Sequence, residues 1–223
     1  EDNGQYGVGI CDISTGEFLT FESESYEKMT GELMRFDPSE IIVSGGQIHD
    51  ELADFAKRKN IFFSKVHEFY FWLPKATQRL EEHFDVKNMT ALGLAQKELS
   101  VCASGALLAY LTQTQKVNLS YIRKINTLQS ASSMILDEQA IRNLELVKNM
   151  ADGKRTGSLL SILDNTQTSM GARLLKKWVV RPLIDAEKIT LRHNAVATLL
   201  TQSEISEQLI EQLGIIADVE RLI

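Results

Sequence analysis

Long apolar runs, cysteine and proline are all scarce in this chain. No stretch approaches the roughly 18 apolar residues that would cross a bilayer, and no charged segment followed by an apolar one opens the sequence. A membrane span and a secretory leader are therefore not expected, and the chain is assigned to the cytoplasm. The two cysteines, Cys11 and Cys102, stand alone with no CxxC spacing, which argues against a disulfide framework or a structural zinc. Both are expected to be small buried hydrophobes. The sequence has no GxSxG, HExxH or GxGxxG, and its four histidines (His49, His67, His83, His193) are scattered, so triad and metal chemistry lack their usual spacing. Gly153-Lys154 invites comparison with a phosphate-binding loop. Lys148 stands where that motif needs its first glycine, however, and Arg155 stands where it needs a Mg²⁺-holding hydroxyl.

What is present is an ordinary globular composition, 223 residues with 43% hydrophobic and 24% charged. That is enough for a core and for two modest domains. The net charge of −6 hides an asymmetry: residues 1–90 carry 9 Lys+Arg against 17 Asp+Glu, whereas 142–192 carry 10 basic residues against 5 acidic. The acidic half would repel a phosphate backbone; the basic stretch would not.

Tyr6-Gly-Val-Gly-Ile-Cys-Asp-Ile13 and Glu17-Phe-Leu-Thr-Phe21, separated by Ser14-Thr-Gly16, predict a β-hairpin. Met29, Leu33 and Phe36 form a helical stripe ended by Asp37-Pro38. Glu40–Ser44 and Ile61–Val66 have the pattern of buried strands around a helix over Asp50–Lys59. The order β-β-α-β-α-β indicates a mixed α/β layer. Beyond Phe84 long helical patterns take over: Gly93–Gln115, then Thr168–Val180, Ala186–Leu200 and Glu204–Leu213. Thr168–Val180 is stopped by Arg181-Pro182, and the last two helices are capped by Asp185 and Ser203, with Gly214 as a stop. Leu119–Leu136 is expected to be extended, with Leu128–Met134 a connection. The boundary is placed between 92 and 93, giving an α/β domain over 1–92 and a mostly helical one over 93–223.

In Thr168–Val180, Met170, Leu174, Leu175, Trp178 and Val179 share one side, and Arg173, Lys176 and Lys177 share the other. The first set predicts a core, in which Trp178→Ala would cost about 3–5 kcal/mol. The second is either a solvated face or a track for a phosphate backbone. Asp12, at the end of the first strand, is either a turn-stabilising side chain or the seed of a two-metal nuclease site. Phe69-Tyr-Phe-Trp72 is expected to be a buried strand or a seam between layers.

Several stretches go further. Tyr6-Gly-Val-Gly-Ile-Cys-Asp-Ile-Ser-Thr-Gly-Glu-Phe18 resembles the opening of the connector domain of the MutS family of DNA mismatch repair proteins. Met134-Ile-Leu-Asp-Glu-Gln-Ala-Ile-Arg-Asn-Leu-Glu-Leu146 resembles the start of that family's core. Gly157-Ser-Leu-Leu-Ser-Ile-Leu-Asp-Asn-Thr-Gln-Thr-Ser-Met-Gly-Ala-Arg-Leu-Leu175, with Trp178 and Arg181-Pro182-Leu183, is the most specific match, and Leu107-Leu-Ala-Tyr-Leu-Thr-Gln-Thr-Gln115 fits as well. The resemblance implies a ribonuclease H-like connector over 1–92 and the first part of a helical core and lever over 93–223, an internal piece of a longer protein cut before the clamp.

It also implies that the parent, not this piece, reads mismatched double-stranded DNA, holds ATP and Mg in an ATPase domain and dimerises. The family's mismatch-reading Phe-x-Glu and its Walker motif do not occur here. No catalytic, cofactor or metal residue is expected in this chain. A MutL-type protein is the implied partner of the connector, with Gln78, Arg79 and Glu82 on the exposed side of the helix Pro74–Phe84 as candidate docking residues. Arg173, Lys176 and Lys177 are the candidate DNA-backbone or lever face, and Leu160, Leu163, Leu174, Leu175 and Trp178 the candidate lever core. The alternatives are a ribonuclease H-like metal-dependent nuclease centred on Asp12, or a homologue from the family's crossover-promoting branch.

Overall fold

A computed structural model describes residues 1–45, 50–115, 119–128, 133–134 and 136–221. His49 and most of the Leu128–Met134 connection lie outside them. The chain divides into two units, Glu1–Leu128 and Gln129–Ile223.

The first unit opens with the expected hairpin. Strand β1 (Tyr6–Asp12) pairs antiparallel with β2 (Glu17–Ser23), from Tyr6 opposite Ser23 to Asp12 opposite Glu17. The turn needs a left-handed residue, and Gly16 supplies it at φ +70°. Helix α1 (Tyr26–Phe36) ends where Asp37 turns to φ 50° ahead of Pro38. Strand β3 (Glu40–Ser44), helix α2 (Asp50–Arg58) and strand β4 (Phe62–Val66) form a parallel pair joined by a helix, with Ile41 opposite Phe63. A single 3-10 turn (Glu68–Phe71) then leads into helix α3 (Leu73–Phe84), and helix α4 (Glu98–Gln115) follows.

A short strand, β5 (Ile125–Thr127), returns to lie parallel to β2, with Phe18 opposite Ile125. Two cores result. One joins Phe18, Leu80, Val101, Leu108, Leu111, Ile122 and Ile125; the other joins Met29, Leu33, Ile41, Leu52, Phe55 and Ala56.

The boundary expected at 92/93 is therefore misplaced. Helix α4 and strand β5 belong to the first unit, because α4 is apolar on several sides and is covered by β1, β2 and α3. Its approach to β1 leaves no room for side chains. A Cβ on Gly7 would stand 2.2 Å from the Leu99 carbonyl oxygen, and one on Gly9 would stand 3.1 Å from the Ser104 Cα. On the other side of α4, a Cβ on Gly105 would stand 2.5 Å from the Cα of Ala76 in α3.

In the second unit each helix start is set by a side-chain cap, with one exception. Asp137 caps helix α5 (Glu138–Asn143), Ser158 caps helix α6 (Leu159–Leu163), Thr168 caps helix α7 (Ser169–Val180), and Asp185 caps helix α8 (Ala186–Thr201). The exception is helix α9 (Ser203–Ile215): Gln202 sits at the cap position without a side-chain bond, and Ser203 is already helical. Gly214 does not stop this helix, which runs one residue further. Among the described residues, no helix is long and apolar enough to cross a membrane.

These contacts set two expectations. Gly105→Ala gains about 1 kcal/mol of helix propensity. It also drives a methyl into the backbone of Ala76, so a net loss of about 1–3 kcal/mol is expected. Gly31→Ala in α1, where nothing lies within 4 Å of the new carbon, should gain about 0.5–1 kcal/mol. Urea midpoints moving in opposite directions would bear out the packing. Separately, burial pushes the Cys11 thiol up to about 12, with the Asp12 carboxylate adding to the effect. At pH 8 its thiolate fraction falls to about one in ten thousand. Cys11 should therefore resist alkylation in the folded chain and react readily in urea, as peptide mass spectrometry would report.

Candidate functional sites

Helix α3 is built with one buried side and one displayed side. Ala76 and Leu80 are fully buried toward α4. Lys75, Gln78 and Glu82, at spacings of three and four, form a polar ladder on the other side. Lys75 Nζ donates to Gln78 Oε1 at 3.2 Å, and Gln78 Nε2 donates to Glu82 Oε1 at 2.8 Å. The candidate docking residues Gln78 and Glu82 are thus exposed and joined to each other.

Arg79 does something different. Its Nη1 donates to the Tyr70 carbonyl at 3.0 Å, and its guanidinium lies 5.4 Å from the Tyr70 ring centre and 5.9 Å from that of Phe69. It braces the 3-10 turn by a hydrogen bond and by cation–π attraction. The turn presents Phe69 at 46% exposure and Trp72 at 54%, their ring centres 5.9 Å apart. The expected buried strand or seam over Phe69–Trp72 is corrected accordingly. Four consecutive aromatics cannot alternate inward and outward as a half-buried strand must, and Pro74, in the first turn of α3, marks a helix start. This patch is what the sequence analysis missed. The signal was the failure of alternation just ahead of that proline.

Helix α7 carries the second set of candidates. Arg173 lies against the carboxylates that follow α9. Its Nη1 and Nη2 donate to Asp218 Oδ2 and Oδ1 at 2.8 and 2.6 Å, and its Nε and Nη2 donate to Glu220 Oε2 at 3.0 and 2.5 Å. Donating to the carboxylates of Asp218 and Glu220 raises the Arg173 pKa, and the same bonds hold the Asp218 carboxyl below its ordinary value. Arg173 is therefore not available to phosphate in this arrangement, so the face predicted from Arg173, Lys176 and Lys177 is not one uniform basic track. Lys176 is half-buried and Lys177 exposed.

The expected lever core also needs correction. Leu160 is buried, but Leu163, Leu174 and Trp178 are 47%, 48% and 42% exposed, and Leu175 is half-buried. Helical periodicity identifies an apolar stripe, not whether anything covers it. The Arg192 guanidinium of α8 sits 3.8 Å from the centre of the Trp178 ring system, a stacked pair rather than a core contact. Trp178→Ala is accordingly expected to cost well under the full-burial value.

Asp12 is the turn residue of its two alternatives. It is exposed, and its Oδ1 accepts from the Ser14 N–H at 2.9 Å and from Ser14 Oγ at 2.7 Å. Among the described residues no three His, Cys, Asp or Glu side chains are grouped to hold a metal ion, so nuclease chemistry centred on Asp12 is not favoured. Gly153-Lys154 does not fit a nucleotide either. Gly153 is a turn residue at φ +69°, Lys154 pairs with Asp152 at 3.1 Å, and Arg155 pairs with Asp164. Cys11 and Cys102 are both free thiols of intermediate exposure, not fully buried as expected.

Two family models match the chain in sequence order, MutS domain II over residues 1–123 and MutS domain III over residues 139–223. Among curated proteins it is similar to the DNA mismatch repair protein MutS of Acetivibrio thermocellus, 37% identical over 227 residues and covering 100% of this chain and 26% of that protein. The MutS of Chlorobaculum parvum is 38% identical, with 96% and 24% covered, and that of Lachnoclostridium phytofermentans is 35% identical, with 97% and 23% covered. The chain thus spans about a quarter of the length of the curated relatives it matches. The domain II match alone takes in more than half of the residues and is followed in order by domain III, and the chain belongs to the MutS family of DNA mismatch repair proteins.

Proposed function

We propose that the chain is a non-catalytic connector and lever module of a MutS-type DNA mismatch repair ATPase. The first unit is a ribonuclease H-like connector that docks a MutL-type protein. The second is the opening part of a lever that transmits between an ATP site and a DNA clamp elsewhere in the parent. The observation that carries this is the order of the two family matches, domain II and then domain III.

The hairpin β1–β2 followed by the parallel β3–α2–β4 unit supports a ribonuclease H-like layer. The 17 acidic residues against 9 basic ones in residues 1–90 favour a protein surface over a phosphate backbone for the first unit. The displayed patch of Phe69, Trp72, Gln78 and Glu82, braced from behind by Arg79, has the composition of an interface: aromatic anchors with a polar rim. In this proposal the parent supplies what the chain does not. Its ATPase domain holds ATP and Mg, its other domains grip mismatched double-stranded DNA, and it works as a homodimer in the cytoplasm.

Calorimetry of purified MutL with the intact chain tests the docking. Saturable binding is expected, weakened about tenfold by Trp72→Ala and by the pair Gln78→Ala, Glu82→Lys, and unchanged by Glu204→Lys on α9. Equal binding by all variants would remove the site from α3. In the same preparation, ATP hydrolysis should be undetectable, and homoduplex and mismatched DNA should bind equally weakly; turnover or mismatch preference in the isolated chain would overturn the non-catalytic assignment.

A further inference from the structure

Among the described residues of the second unit, Leu146, Leu160 and Val180 are the buried apolar side chains, and much of the apolar surface of α7, α8 and α9 is exposed in this chain. Two polar contacts join α7 to α8 and to the segment after α9. Arg192 of α8 stacks on Trp178 of α7 at 3.8 Å. Arg173, five residues earlier on α7, makes four hydrogen bonds to Asp218 and Glu220 in the segment just beyond α9. The α8–α9 pair is therefore bracketed, fastened to α7 near its beginning and again just after its end.

We propose that Arg173 is an electrostatic latch that locks the α8–α9 pair against α7, and that its release lets the pair move as a body. Several features support this role. The guanidinium fork grips Asp218 with two parallel bonds, an arrangement that fixes orientation as well as distance. The Arg173 and Asp218 side chains are each only 23% exposed, so the pair is partly shielded from solvent, while Glu220 at 48% leaves one side open to competing ions. Among the described residues Arg221 also approaches Asp218, at 4.0 Å and more exposed, which adds a weaker attraction of the same sign. Residues of α7, α8 and α9 that would otherwise weld the unit together stay half-exposed, including Leu174, Leu199, Leu209 and Leu213. Helices joined through ions can part without unfolding.

Trp178 gives the readout, because a released pair withdraws Arg192 from the indole. With Trp72→Phe in the intact chain, Trp178 is the sole tryptophan, selected over the tyrosines by excitation at the red edge of the indole band. Arg173→Gln is expected to raise the acrylamide quenching constant about twofold while helical ellipticity holds. Asp218→Asn with Glu220→Gln should do the same, and serves as the test if Arg173→Gln loses helix. Raising salt from about 0.05 to about 1 M, which shortens the Debye length to about 3 Å, should move the unaltered latch toward the variant value and leave the variants unmoved. Quenching that responds neither to the substitutions nor to salt would overturn the latch, as would an equal salt response with and without Arg173.

Discussion

The first unit depends on one close approach, that of α4 onto β1. Without side chains at Gly7 and Gly9, helix backbone and strand backbone come within contact distance, and Gly105 lets the opposite side of the same helix touch α3 at Ala76. The rest of the unit is organised around that sandwich. Glu22, on β2, reaches the N-terminus of α4 and accepts from the Ser100 N–H at 2.9 Å, so the helix is capped by a residue 78 positions away. At the other end, the Tyr110 hydroxyl donates to Glu40 Oε1 at 2.6 Å, and Ser64 Oγ donates to the same oxygen at 2.5 Å. The β3–β4 pair is thereby tied to α4 by a shared carboxylate. With α4 fixed, the buried side of α3 is fixed too, and the display of Gln78, Glu82 and the aromatic turn follows.

What was legible in the sequence was mostly local. The hairpin, α1, β3, α2 and β4 could be read from alternation, helical spacing and the Asp37-Pro38 stop, because each is decided by residues within a few positions. The MutS resemblance was also legible, carried by long ordered runs such as Gly157–Leu175. The placement of α4 was not. Its membership in the first unit rests on Gly7, Gly9 and Gly105 meeting partners up to 95 positions away, and nothing in the local composition of 93–115 distinguishes a helix packed backward from one that starts a new domain. Strand β5 lies in the stretch Leu119–Leu136 expected to be extended, but its pairing was hidden for the same reason. Three residues become a strand only because β2 offers them an edge.

The candidate sites divide along the same line. Gln78 and Glu82 could be placed on an exposed helix face by spacing alone. Arg79 was placed on that face too, but its role as a brace depends on the carbonyl of Tyr70 and on two rings that periodicity does not locate. Arg173 looked like its neighbours Lys176 and Lys177 on a helical wheel, and only the fold brings Asp218 and Glu220, 45 and 47 positions away, onto its guanidinium. Spacing says which residues share a face. It does not say which charges are already spent.

The two units are therefore stiff for different reasons, and that difference bears on the proposed role. The first is held by apolar contact and glycine-mediated backbone approach, interactions that salt scarcely weakens and that open only with loss of the core. It suits a platform that must present one surface unchanged. In the second, α7 is joined to α8 and to the segment after α9 by charged groups at partly exposed positions, where attraction is finite, screened and reversible. An element that transmits motion needs two arrangements separated by a modest free-energy gap. In the proposed role, helices α7 and α8, each started by a side-chain cap and joined by Arg173 and Arg192, meet that need: the helices stay intact while the joints between them change.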